Sequence, residues 1–261
     1  NTGPYFSTID RIDYSNDTAA TSPKGPLSSA RDSHAAAGNQ SFGYFTAGDV
    51  EQPTVSSTDR LDYSNDTATA SPKGPLNETN SNHAATGNAD FGYHCTGSWP
   101  GSGSTVNRID YSNDTAIALV KGPLSIGRFG IAATGDQSFG YFAGGKAGTI
   151  GANGTTTVDR IDYSNDTPTT PTKGPLSIAR RQLRASSSRE NANPTTIDFG
   201  PTSSVGTDFG YVAGGKAPGT VSSIDRIDYS NDTAAAAPKG QLSAARYSIA
   251  ATGNASFGYF A

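Results

Sequence analysis

The chain has no methionine, one cysteine (Cys95), one tryptophan (Trp99) and three histidines. A single cysteine excludes an intrachain disulfide framework. Three histidines are too few for a copper radical oxidase site, which needs Tyr, Cys and several His together. No apolar run approaches the roughly 18 residues of a membrane-spanning helix, so no membrane insertion is expected. The bases form no long stripe, which argues against nucleic acid as a partner. Residue 1 is asparagine and no signal peptide is visible, as expected of a processed chain or a fragment. Hydrophobic residues make up 34% of the chain, so its core must be thin and distributed, which suits small sheets better than a thick α/β core.

What is present is a repeated phrase. Arg-Ile/Leu-Asp-Tyr-Ser-Asn-Asp-Thr occurs at Arg11–Thr18, Arg60–Thr67, Arg108–Thr115, Arg160–Thr167 and Arg226–Thr233. A period near 50 residues marks an array of supersecondary units, each too small to bury a core alone. Around the phrase lies a longer unit. It runs from Ala-Ala-Thr-Gly-Asn through Ser-Phe-Gly-Tyr-Phe-Ala-Gly-Gly, a variable loop and the phrase, to a Thr/Ala run and Lys-Gly-Pro-Leu-Ser-x-x-Arg. Each piece reads as a strand or a turn: Ile224–Tyr229 alternates with period two, and Ser-Asn-Asp and Gly-Asn supply turn formers. The unit is therefore predicted to be four short antiparallel strands, a to d, with d the weakest. No segment carries a sustained helical period. Four-stranded units of this length are the mark of propeller blades, with small strand-a residues at the crowded centre.

The Gly-Gly doublet (Gly144-Gly145, Gly214-Gly215), the phrase tyrosines (Tyr14, Tyr63, Tyr111, Tyr163, Tyr229) and the Leu-x-x-x-Arg segments (Leu27/Arg31, Leu124/Arg128, Leu176/Arg180, Leu242/Arg246) resemble the kelch repeat. The near-identical copies are also similar to the repetitive kelch-like virion proteins of marine bacterial viruses. The family's Trp after the Tyr is absent, the doublet is Ala47-Gly48 and Thr96-Gly97 in two units, and Asn80 replaces the late Arg in one. The resemblance implies an all-β, kelch-like β-propeller, and four whole units plus one composite of the two ends predict five blades. Its units are approximately 32–80, 81–128, 129–180, 181–246, and a composite of 247–261 with 1–31, so that both termini close the last blade. An excerpt from a longer array of six or seven blades is the alternative.

Most charge belongs to the repeat, so it reads as scaffold in neighbouring opposite signs. The arginines recur in every unit, which argues against a sialidase-type site. His34 and His83 occupy the position of Ile131, Leu183 and Ile249, which reads as a packing site. Asp13, Asn16 and Asp17 lack the alternating acids of a calcium loop. Asn16, Asn65, Asn113, Asn165, Asn231, Asn39, Asn77, Asn153 and Asn254 match the glycosylation acceptor, but most sit where a turn calls for Asn anyway.

Function is expected where copies differ. The b–c loops (48–57, 96–105, 143–157, 213–223) vary most and carry Trp99, Lys146 and Lys216. An excess of 18 residues near 187–207 lengthens one a–b hairpin on the opposite face and carries Arg189, Asn191 and Phe199. The expectation is a non-enzymatic module without cofactor, catalytic set or metal, extracellular or on a virion, such as a fibre or decoration protein. It would recognise a surface glycan or protein receptor, or other assembly proteins, through these loops, and a homo-oligomer is one form it could take. A purely structural module and a propeller enzyme acting on carbohydrate are the alternatives.

Overall fold

The structure is a computed structural model that describes residues 5–13, 18, 20–51, 53–97, 103–148, 154–187, 209–253 and 258–260. It is all-β, and each sheet is antiparallel. Asp10–Arg11 (β1) pairs with Ser22–Pro23 (β2). The first four-stranded sheet is Ala35–Gly38 (β3), Phe42–Asp49 (β4), Thr54–Asp62 (β5) and Ser71–Lys73 (β6). The second is Ala85–Gly87 (β7), Phe91–Cys95 (β8), Val106–Asp110 (β9) and Leu119–Lys121 (β10). Arg128–Phe129 (β11) leads into the third sheet, which is Ala132–Gly135 (β12), Phe139–Ala143 (β13) and, beyond the short Lys146–Ala147 (β14), Val158–Asp162 (β15). The fourth is Arg184–Ser187 (β16), Phe209–Ala213 (β17), Ser223–Asp228 (β18) and Ala237–Gln241 (β19), and a final hairpin pairs Ala251–Gly253 (β20) with Gly258–Phe260 (β21).

Strands follow one another in chain order within every sheet, so the a-to-d meander read from the repeat is the observed one. Strand d is the shortest strand of the first sheet, as expected, but in the fourth it runs five residues, one more than strand a. In the third sheet it shrinks to the single bridge between Asp159 and Thr172. After strand c, the Tyr-Ser-Asn segment forms a short 3-10 turn in three units, at Tyr63–Asn65, Tyr111–Asn113 and Tyr229–Asn231. The phrase Asp starts it: Asp62, Asp110 and Asp228 each accept a hydrogen bond from the backbone N–H of the serine two residues on. The serine hydroxyl bonds the same carboxylate, and these bonds hold all three carboxyls below their ordinary range.

The rest of the phrase ties neighbouring sheets together. Tyr44 of the first sheet stacks on Tyr111 of the second at 4.6 Å, Tyr93 on Tyr163 at 4.8 Å, and Tyr141 on Tyr229 at 4.9 Å. The same inner tyrosines donate to the last Asp of the next phrase: Tyr44 to Asp114, Tyr93 to Asp166 and Tyr141 to Asp232. That Asp also holds the preceding sheet's phrase Arg and its Lys, as Arg60 and Lys73 do at Asp114, 2.7 and 3.4 Å away. Each such arginine lies over the Phe of its own Phe-Gly-Tyr, Arg60 at 4.2 Å from the Phe42 ring centroid. Charge-assisted bonds of this kind are worth about 1.5–3 kcal/mol each when desolvated. They also fill the carboxylates that a calcium reading would need.

The inner strands β3, β7, β12, β16 and β20 touch in succession. β1–β2 docks on the first sheet by the standard contacts, Arg11 and Lys24 on Asp66. β20–β21 docks on the fourth sheet. Among the described residues, no backbone pairing joins β21 to β1. Aromatic surface is open there: Tyr63 is 49% exposed and Tyr259 54%, against 8% for Tyr111, Tyr163 and Tyr229.

Candidate functional site

Antiparallel pairing places the first residue of each strand a beside the last residues of strand b: Ala35 opposite Thr46, Ala132 opposite Ala143, Arg184 opposite Ala213. The b–c loops and the starts of the inner strands therefore share one end of the sheets. At their bases the loops are bridged to the segment entering strand a, through Asp49 with Asp32, Lys146 with Phe129, and Lys216 with Arg181. The glycine doublet makes that turn. Gly144 and Gly145 have φ of 64° and 95°, Gly214 and Gly215 63° and 108°, a region that favours residues without a Cβ.

Two of the expected binding residues sit at these bases rather than on loop tips. Lys146 is buried, its Nζ 5.9 Å from the Phe129 ring centroid. Lys216 is half-buried, with its Nζ 3.8 Å from the Tyr247 ring centroid. The backbone of each is paired at the loop base, Lys146 with Phe129 and Lys216 with Arg181. Trp99, Arg189, Asn191 and Phe199 lie outside the described residues.

The site that the repeat comparison overlooked is central. The starts of all five inner strands line one cavity of about 270 Å³. Its wall is chiefly alanine, and its ionisable side chains are His34, His83 and Arg184. His34 and His83 were assigned to packing. His83 is buried, and both line this cavity beside Ile131. A signal was present in the sequence. Arg184 stands where the other units have Ala35, Ala84, Ala132 and Ala250.

Behind the cavity, the Thr46 hydroxyl sits between two imidazoles, 3.1 Å from His83 Nε2 and 2.9 Å from His94 Nδ1. Burial pushes His94 down to about 3. Burial, with His94, His34 and Arg184 adding to it, also holds His83 well below its ordinary value. Both rings are neutral near pH 7. Cys95 is likewise buried, and its thiol is pushed up to about 12, which makes it inert as a nucleophile. Among the described residues, no three His, Cys, Asp or Glu converge to hold a metal.

The histidines give a pH prediction. The unfolded chain binds protons near 6.5, whereas the folded state resists protonation to about 3. The stabilising contribution is therefore complete above about pH 6.5 and is lost as pH falls toward the folded value. Urea unfolding should show a loss on the order of 3 kcal/mol between pH 7 and 4 from His94. His94→Phe, which installs the residue found at Phe45 and Phe142, should flatten that slope. Parallel pH profiles for the two proteins would contradict it.

No family model matches the chain, and no curated protein matches it. A solved structure described as "Structure of YjhT" does, with a TM-score of 0.66 at 12% identity, over 96% of this chain and 88% of that one. The likeness is one of fold alone. It spans nearly the whole chain.

Proposed function

We propose that the chain closes as a five-bladed, kelch-like β-propeller and acts as a non-enzymatic binding or assembly module on a virion or cell surface. Its b–c loops would contact a surface glycan or protein. The observation that carries this reading is a division of labour. The phrase residues are used up in sheet-to-sheet contacts that recur from copy to copy, while the loops at one end differ in length and sequence.

Closure is supported by complementary edges. The fourth sheet pairs Gly210 with Ile227, Tyr211 with Arg226 and Val212 with Asp225. The same register would pair Gly258 with Ile12, Tyr259 with Arg11 and Phe260 with Asp10. Tyr259 would then stack on the exposed Tyr63 and donate to Asp66, and Arg246 would meet Asp10 as Arg180 meets Asp225. The same open edges favour a second reading, in which separate copies pair edge to edge in a structural array.

The test exchanges loop 213–223 for the ten-residue loop 96–105, with a glycan array and cell binding as readouts. Binding should vanish while the far-ultraviolet spectrum and the unfolding midpoint persist. Unchanged binding would remove the loops from the recognition surface. A monomer under all conditions would remove the edge-paired array.

A further inference from the structure

Each inner strand begins with the same small residue except one. Four units place Ala35, Ala84, Ala132 and Ala250 around the central cavity, and the fifth places Arg184 there. The charge of Arg184 is not balanced as the other buried arginines are. Arg31, Arg128 and Arg180 each face a carboxylate within 3.1 Å, and that carboxylate opposes the effect of burial on the guanidinium. Arg184 has no ion pair among the described residues. Its one hydrogen bond is from Nη1 to the carbonyl of Leu183, and burial alone lowers its guanidinium. A half-buried cation facing an alanine-lined space is an unfavourable arrangement unless something of opposite charge enters.

Two neutral rings stand beside it. His34 and His83 line the same cavity, and Nδ1 of each is buried without a hydrogen-bond partner. His83 Nε2 is already taken by Thr46. The one acid acting on this group is Asp32, through His34. The cavity thus combines one fixed positive charge, the sides of two neutral imidazole rings and an apolar wall.

We propose that the central cavity is a binding site for a small organic carboxylate, held by Arg184 and walled by the rings of His34 and His83. The planar guanidinium fork matches a carboxylate in two parallel hydrogen bonds. A monoanion is favoured over a phosphate dianion because a single arginine supplies the charge and Asp32 subtracts from it. At about 270 Å³ the space falls below that of drug-sized ligands, so the occupant is small, with an apolar body against the alanines. The site opens at the end that carries the b–c loops but uses none of their residues. Loss of the loop-binding reading would leave it standing.

The experiment is calorimetric titration of the full chain at pH 7 with acetate, benzoate and inorganic phosphate, repeated on Arg184→Ala and His83→Ile. Both substitutions install residues that other units carry at the same place, and circular dichroism checks folding. Benzoate is expected to bind saturably and more tightly than acetate. Its affinity should fall at least tenfold in Arg184→Ala and severalfold in His83→Ile. Should His83→Ile not fold, Arg184→Ala decides alone. Absence of saturable carboxylate binding, or affinity unchanged in Arg184→Ala, overturns the site. Phosphate binding tighter than benzoate overturns its assignment to carboxylates.

Discussion

Arg128→Ala is expected to destabilise the protein by about 3–5 kcal/mol, and the pair Arg128→Asn with Asp159→Asn is expected to recover most of that loss. Both side chains of the Arg128–Asp159 ion pair are fully buried, 2.9 Å apart. Arg128 Nη2 also donates to the Phe142 carbonyl, and Asp159 accepts from the Ser125 N–H. Removing the arginine alone strands a carboxylate in the interior. The protein itself displays the remedy. In the second sheet, the positions of Arg and Asp are both asparagine, Asn80 and Asn107, and both are buried. Asn80 donates to the Cys95 carbonyl and accepts from the Gly97 N–H, while Asn107 accepts from the Asn77 N–H as Asp159 does from Ser125. With both charges absent, neither is left unpaired. Urea denaturation at pH 7 reads the effect. A single mutant within 1 kcal/mol of wild type, or a double mutant no better than the single, would contradict this account.

Gly122→Ala should be of similar size, about 3 kcal/mol or more, because the obstacle is backbone and cannot turn aside. A Cβ on Gly122 would stand 1.7 Å from the Pro168 carbonyl oxygen of the next sheet; on Gly74 and Gly174 it would stand 1.8 and 1.5 Å from those of Ala116 and Ala234. These glycines also donate across the junction, Gly122 N–H to the Asp166 carbonyl at 2.8 Å. The alanine would part the sheets and pull Arg108 and Lys121 from Asp166. Gly240 is the informative comparison. It occupies the same place in the last unit, and a Cβ there meets nothing within 4 Å. By the repeat's spacing its neighbour in a closed ring is Ala19. A closed ring makes Gly240→Ala as harmful as Gly122→Ala, and an open seam leaves it near neutral. Thermal unfolding of the two variants side by side reads the difference, and a neutral Gly240→Ala would count against closure.

Much of the fold was legible because the chain repeats itself. Phe-Gly-Tyr marks strand b in every unit, and its glycine is explained by the phrase tyrosine, whose hydroxyl would meet a Cβ on Gly92 at 2.7 Å from Tyr111 and on Gly140 at 2.7 Å from Tyr163. Period-two alternation marked strand c, and turn chemistry marked its end. Which neighbour each charge would choose was not legible. Asp62 and Asp66 sit four residues apart in one phrase, yet one caps its own turn and the other holds Arg11 and Lys24 from the preceding unit. The surroundings of the b–c loop lysines were not legible either. Loop position gave no sign that the base of the loop is itself paired as strand, which brings Lys146 against Phe129.

The sequence by itself determined the unit: four short strands, their order, and turns placed by Gly, Asn and Asp, since these depend on local periodicity and backbone preference. Only the tertiary structure decided what the units make together. It brought five strand starts, far apart in the chain, around one cavity, and so placed Arg184 beside His34 and His83. No local pattern encodes that meeting, because it arises from the way successive sheets pack, and packing geometry is a property of the whole array.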